Sequence, residues 1–201
     1  MAESSNSMIG STATGRYGAG NSRLELGELT IHAAWNIQGK ADRPAFVDEV
    51  RRVFAVELPR TPNTTARSDA LTAFWLGPES WLVVAHHATP RFDFPVERDA
   101  INAAGGALFY VSAARVAYVV RGNGAAALLA RRCPLDFHPS AFPVECCAQS
   151  LLGHVGALFY RRDADTFVVM VARSFARDAW HALCVSASGE AYDVAPTVMF
   201  A

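Results

Sequence analysis

The sequence predicts an α+β protein made of two copies of a split β-α-β (ferredoxin-like) unit with antiparallel-rich sheets. Three observations carry this. Short runs of period-two apolar alternation are separated by stretches of helical period. The order strand, helix, hairpin, helix occurs twice. Corresponding strands start 86 positions apart, Leu29 with Arg115 and Ser80 with Thr166. The expected organisation is a tail over residues 1–22, a first repeat over 23–112 and a second over 113–201.

The tail is mostly Ser, Gly, Ala, Thr and Asn without hydrophobic period, so it reads as flexible, with order beginning near Leu24. Over residues 29–38, Leu29, Ile31, Ala33, Trp35 and Ile37 alternate with mostly polar neighbours, the mark of a half-buried strand. Asp42 and Pro44 then suit the N-cap and first turn of a helix. Phe46, Val47, Val50, Val53 and Phe54 line one face of it, and Pro59 and Pro62 end it. Residues 71–76 and 80–85 form a hairpin around Gly77-Pro78. A short helix over 95–104 stops at Gly105-Gly106.

The pattern then restarts, with strands over 107–111 and 115–120. Gly122-Asn123-Gly124 leads into a helix over 125–132, with Arg131 and Arg132 in its last turn, where the helix dipole favours cations. After Pro134 and a proline-rich connection, residues 156–161 and 166–171 form a hairpin around Asp163-Ala164-Asp165. Ser174 is placed to cap a final helix with Ala176, Ala179, Trp180 and Leu183 on one face.

Composition narrows function by exclusion. With 18 basic and 19 acidic residues the net charge is −1, which argues against a nucleic-acid binder. Hydrophobic residues make up 51% of the chain and mean hydropathy is +0.14, which excludes a disordered protein. Charged residues reach 18%, below the ~25% usual for soluble domains. Either a partner covers part of the surface, or the 36 alanines inflate the apolar share. No apolar run reaches the ~18 residues of a membrane span; the best stretch, 107–120, is interrupted by Ser112 and Arg115. With no basic cluster before an apolar stretch at the start, a soluble, cytoplasmic protein is expected. Reduced thiols are then expected at Cys133, Cys146, Cys147 and Cys184, whose spacing lacks the paired hooks of a zinc site.

Each candidate for chemistry has a structural rival. Residues 122–127 fit G-x-G-x-x-A between a strand and a helix, which would suit a pyrophosphate. The acidic strand end about 20 residues on is missing, so a tight turn explains the glycines. Cys133-Pro134-Leu135-Asp136-Phe137-His138-Pro139, with Glu145, Cys146 and Cys147, holds the ingredients of a thiol nucleophile or soft metal site. Without ligand spacing, its prolines point to a rigid structural or partner-facing loop. His86 and His87 sit on one strand end and point to opposite faces, and His32, His154 and His181 stand alone. There is no paired-carboxylate cleft, G-x-S-x-G or P-loop.

Several of these segments together are similar to one family. They are Arg121-Gly122 before a helix, Cys133-Pro134-Leu135-Asp136, His138-Pro139 and Ala141-Phe142-Pro143. Further on come Cys147-Ala148-Gln149-Ser150-Leu151-Leu152-Gly153, residues 167–171, Arg173-Ser174-Phe175-Ala176 and Trp180. Upstream lies Trp75-Leu76-Gly77-Pro78-Glu79-Ser80-Trp81-Leu82-Val83. Over residues 65–185 the chain resembles the gamma subunit of heterotetrameric sarcosine oxidase, with Ser150 where the family often has Thr.

The resemblance implies a fold like the glycine-cleavage T protein, a folate-binding aminomethyltransferase. It implies a role in oxidative demethylation of sarcosine to glycine, yielding hydrogen peroxide and a one-carbon unit that tetrahydrofolate can accept. It also implies no catalytic, cofactor or metal residues in this chain. FAD, FMN, NAD, tetrahydrofolate and zinc would reside in the alpha, beta and delta subunits. Trp75, Trp81, Phe137, His138, Phe142 and Arg173 are the expected partner-facing residues, with Arg121 and Arg161 as further rim cations. The alternatives are a stand-alone folate-binding or one-carbon transfer module, with Asp93 or Asp136 beside a pterin, and a thiol enzyme using Cys133 or Cys147.

Overall fold

The computed structural model describes residues 13–20, 23–88 and 92–200. In chain order the elements are β1 (Gly15–Tyr17), β2 (Leu24–Thr30), β3 (Ala34–Gln38), α1 (Pro44–Phe54), β4 (Thr65–Arg67), β5 (Leu71–Gly77), β6 (Ser80–Ala85), α2 (Phe94–Ala103) and β7 (Ala107–Tyr110). Then follow β8 (Arg115–Arg121), α3 (Ala125–Ala130), β9 (Cys147–Leu152), β10 (Val155–Asp163), β11 (Thr166–Ala172), α4 (Ala176–Ala187), β12 (Tyr192–Val194) and β13 (Val198–Met199).

Two compact units result. One comprises residues 31–113, 145–148 and 199–200. Its five strands run β4-β5-β6-β3-β7, each neighbour pair antiparallel. Strand, helix, hairpin, helix and closing strand make this a complete split β-α-β unit, with β7 antiparallel beside β3. Trp35 and Ile37 share a sheet face with Trp81 and Val83, and together they pack on Phe46 and Val50 of α1. Phe46 is fully buried and lies tight against two glycines. A Cβ at Gly39 would come within 2.6 Å of its ring, and one at Gly106 within 2.4 Å. Burying a ring of this size contributes roughly 1.5–3 kcal/mol. On the solvent side, Arg52 bridges Glu49 of α1 and Glu97 of α2, an exposed network worth no more than about 1 kcal/mol per pair.

The other unit comprises residues 13–30, 114–144 and 149–198. Its sheet runs β1-β12-β2-β8-β11-β10-β9, with β13 also beside β2. β8, α3, β10, β11 and α4 repeat the plan, but the closing strand, antiparallel to β8 on the side away from β11, is β2, from the N-terminal side. β12 adds to β2 in parallel, and β1 pairs antiparallel with β12. Tyr118, buried in this sheet, donates from its hydroxyl to the Ala176 carbonyl at 2.8 Å and so ties the sheet to α4.

The duplicated, antiparallel-rich α+β architecture agrees with the sequence reading; details differ. The ten-residue alternation over 29–38 is two strands, because the chain leaves one sheet after Thr30 and enters the other at Ala34. Strand β2 therefore joins the unit built mainly from later residues, so the division does not follow the 23–112 and 113–201 boundaries. Within the expected tail, Gly15–Tyr17 is a strand, stabilised by pairing with residues far along the chain; residues 1–12, 21 and 22 lie outside the described residues. Arg43, not Asp42, occupies the N-cap of α1 and makes no side-chain cap, while Pro44 does open the helix. The helix ends at Phe54 because Ala55 turns left-handed (φ 48°), before Pro59 is reached. Ser174 lies in a 3-10 turn, Arg173–Phe175, and α4 begins after it.

Candidate functional site

The Gly122-Asn123-Gly124 turn is explained by its backbone. Gly122 and Gly124 have φ of 108° and 111°, which side chains rarely adopt. A Cβ at Gly122 would also sit 2.0 Å from the Arg23 carbonyl oxygen. The helix that follows has only six residues, so the fingerprint marks a tight turn.

The proline-rich segment is held by Arg161. This guanidinium sits on β10, buried at 5% exposure, over the Phe167 ring at 5.2 Å. It donates to the carbonyls of Ala164 (2.6 Å), Phe142 (2.8 Å) and Phe137 (3.4 Å). Phe137 packs edge-on against Phe142, Phe159 and Phe167, each 5.6–5.7 Å away. The Asp136 carboxylate accepts from the His138 backbone N–H at 2.8 Å, and the His138 carbonyl accepts from the N–H groups of Ala141 and Phe142. Arg161 is therefore an internal clamp, not a rim cation. A guanidinium suits this place because its fork reaches several carbonyls at once.

Burial disfavours the thiolate at Cys146, Cys147 and Cys184. Cys147 is fully buried and its Sγ faces the carbonyl oxygens of Thr64 (3.4 Å) and Trp75 (3.6 Å). Burial pushes its pKa up to about 12, the reverse of what a nucleophile needs. Burial also raises Cys146 and Cys184, and Cys133 is buried. Among the described residues no three His, Cys, Asp or Glu side chains gather as a metal site. His86 is buried, its Nδ1 facing the Asp69 carbonyl (3.0 Å) and its Nε2 the Thr72 hydroxyl (2.8 Å). Asp93 caps α2, accepting from the Val96 N–H at 3.4 Å.

The expected partner-facing residues separate into two groups. Trp81 is fully buried and donates from Nε1 to the Pro59 carbonyl at 2.8 Å. Phe137 and Phe142 are buried in the cluster under Arg161. These three build the core, which corrects their reading as surface contacts. The strand period of Trp81 is the same whether core or partner covers it, and Phe137 and Phe142 lie in a segment with no period to show which way they turn. Trp75 is half-buried, while His138 and Arg173 are exposed. Arg121 is exposed too, 2.5 Å from Glu25.

Sequence reasoning missed a cavity of about 360 Å³ lined by His32, Ala33, Trp35, Ala88, Phe92, Phe94 and Tyr110. Trp35 and Phe92 meet with centroids 4.6 Å apart, and Phe94 and Tyr110 with centroids 5.9 Å apart. The available signal was the aromatic density of Phe92, Phe94, Phe109 and Tyr110 around a helix too short to bury them all. Among the described residues the lining offers apolar contact and one histidine, a set suited to holding a side chain or ring.

The profile of the "Sarcosine oxidase, gamma subunit family" matches residues 38–190. Two curated relatives are sarcosine oxidase subunits gamma from Corynebacterium sp. One, from strain U-96, is 28% identical over 127 residues, covering 63% of this chain and 61% of the relative. The other, from strain P-1, is 27% identical over 128 residues, 62% of this chain and 61% of the relative. The chain thus spans about 61% of the length of the curated relatives it matches. Among solved structures, heterotetrameric sarcosine oxidase from Corynebacterium sp. U-96 in complex with pyrrole 2-carboxylate superposes with a TM-score of 0.74 at 22% identity, covering 86% of this chain and 88% of that one. Glycine cleavage system aminomethyltransferase T from Bartonella henselae gives 0.55 at 13% identity, over 88% of this chain and 48% of that one. At such identities these two matches establish the fold alone. The profile match covers most of the sequence, and the chain belongs to the sarcosine oxidase gamma subunit family.

Proposed function

We propose that this chain is a non-catalytic gamma subunit of a heterotetrameric sarcosine oxidase. The observation that carries the reading is the family match across residues 38–190. The local chemistry supports it, since the segment richest in reactive side chains is committed to structure. Asp136 closes a turn, Arg161 clamps carbonyls, and burial holds the Cys147 thiol neutral. The complex would demethylate sarcosine oxidatively to glycine, with hydrogen peroxide and a one-carbon unit, free or folate-borne, as the other products. Flavins, NAD, tetrahydrofolate and zinc are assigned to the alpha, beta and delta subunits, and the complex to the cytoplasm. No helix among the described residues is long and apolar enough to cross a membrane. Trp75, His138 and Arg173 remain the proposed contacts with those subunits.

The test is to purify the chain alone and follow sarcosine-dependent peroxide release. None is expected, whereas co-expression with the other subunits should return it in one assembly. Turnover by the isolated chain would overturn the proposal. A second reading, a stand-alone folate-binding or one-carbon transfer module, draws on the aromatic cavity. None of the described lining residues is a carboxylate to meet a pterin, and Asp93 is engaged as a helix cap. Titration with tetrahydrofolate tests it through tryptophan fluorescence, because Trp35 lines the cavity; no change would speak against this reading.

A further inference from the structure

The two units treat equivalent sheet edges differently. Gln38 pairs with Ser80 on one side and Ala107 on the other. Arg121 likewise pairs with Thr166 and Glu25. With Ser80 and Thr166 equivalent in the repeat, Ala107 occupies the place of Glu25, and Leu108 that of Leu26. Both leucines are buried, at 2% and 0% exposure. On β2 the outer edge is covered. β12 lies parallel along it, Val194 opposite Leu26, and the Leu26 carbonyl accepts from the Ala195 N–H at 2.8 Å.

On β7 no strand among the described residues covers that edge. The Val111 N–H donates inward to the Ala34 carbonyl. Alternation along an antiparallel ladder therefore turns the N–H and C=O of Leu108 and Tyr110 outward. Among the described residues nothing pairs with these groups. The opposite edge of the same sheet is occupied, as Thr65 and Asn63 bond the chain at Glu145 and Cys147. The open edge is also apolar. Phe109 and Tyr110 are about half exposed and Val96 on α2 is 59% exposed. The aromatic cavity opens beside Tyr110.

Exposed aromatics on an unpaired edge are what natural sheets avoid unless a strand is to be added there. We infer that the outer edge of β7 receives an extended apolar strand from a companion subunit, parallel to β7 as β12 is to β2. Its main chain pairs with Leu108 and Tyr110, and one apolar or aromatic side chain enters the cavity lined by Trp35, Phe92, Phe94 and Tyr110. Alternate side chains of the added strand fall on the opposite face, against Phe109. The inference rests on the proposed assembly into a complex and names the surface that makes it.

The experiment is hydrogen–deuterium exchange of residues 106–111 in the isolated chain and in the co-purified complex. The amides of Leu108 and Tyr110 should exchange at least tenfold more slowly in the complex. Assembly without slowing at these residues refutes the inference and leaves the proposed function standing; failure of the wild-type subunits to assemble refutes both. Slow exchange already present in the isolated chain, whether constant or rising with concentration, means that the chain itself or a second copy covers the edge, and it also overturns the inference. Tyr110→Pro removes an outward donor without touching the ladder to β3. Because it also removes the ring that meets Trp35 and Phe94, its reference is Tyr110→Ala, which loses the ring and keeps the donor. Tyr110→Pro should weaken incorporation about tenfold more than Tyr110→Ala, and Tyr110→Phe should not weaken it. Equal weakening by the Pro and Ala variants refutes the added strand.

Discussion

Replacing Arg161 tests whether the proline-rich segment is a structural device. Hydrogen bonds from a charged donor are each worth roughly 1.5–3 kcal/mol. Two of the three at Arg161 are short, 2.6 and 2.8 Å, and the third, at 3.4 Å, is weak. Their loss would cost about 3–6 kcal/mol before any offset. Removing a buried guanidinium returns part of that, because its desolvation no longer opposes folding, and its Nε is buried without a partner. The net for Arg161→Met, which keeps the stem's packing over Phe167, is therefore about 2–4 kcal/mol. In a chain of this length that corresponds to a Tm lowered by about 4–16 °C. Arg161→Lys keeps the charge but gathers its donors on one nitrogen, so it should recover less than half of the loss. Urea unfolding followed by tryptophan fluorescence reads the difference, and limited proteolysis reads local loosening of residues 133–143. A Met variant within about 0.5 kcal/mol of wild type, with that segment equally resistant, would refute the clamp.

Further predictions concern stability. The Cys147 pKa is raised from 9.0 to about 12 in the fold, so above pH 9 the unfolded chain releases a proton that the native chain keeps. Stability from this group is full below pH 9 and is lost as pH rises toward 12, at up to about 1.4 kcal/mol per unit. Cys147→Ser should flatten that slope in urea titrations between pH 8 and 10.5, and in the assembled complex it should leave sarcosine oxidation intact. An unchanged slope would move the alkaline sensitivity to Tyr192 and Cys184, which burial also raises. Gly106→Ala forces a Cβ against the Phe46 ring and should cost about 1–3 kcal/mol. Ala55→Gly relaxes the left-handed end of α1 and should raise stability by about 0.5–1 kcal/mol, read as a higher urea midpoint at constant slope.

What could be read from the sequence was local. The hairpin of β5 and β6 shows itself through alternation around Gly77-Pro78, and α1 through Phe46, Val47, Val50 and Phe54. The repeat was legible because both copies share this local grammar. What depends on partners far along the chain was not. β1 and β12 are three-residue strands that exist by pairing with each other and with β2. Alternation continues unbroken from Leu29 to Ile37, although the chain changes sheets between them. Arg161 read as a rim cation because nothing in Tyr160-Arg161-Arg162 marks which of two adjacent arginines turns inward. Likewise, nothing local shows that Phe137 is enclosed by Phe159 and Phe167 from the later hairpin, with Phe142 packed on Phe137 in turn.

Native mass spectrometry of the chain co-expressed with the other subunits of the proposed complex bears most directly on its role, with peroxide release measured on the same sample. The account predicts that the chain travels within a four-subunit assembly that oxidises sarcosine, and that the separated chain is inert. A chain that stays monomeric in that mixture, or one that oxidises sarcosine unaided, would contradict it.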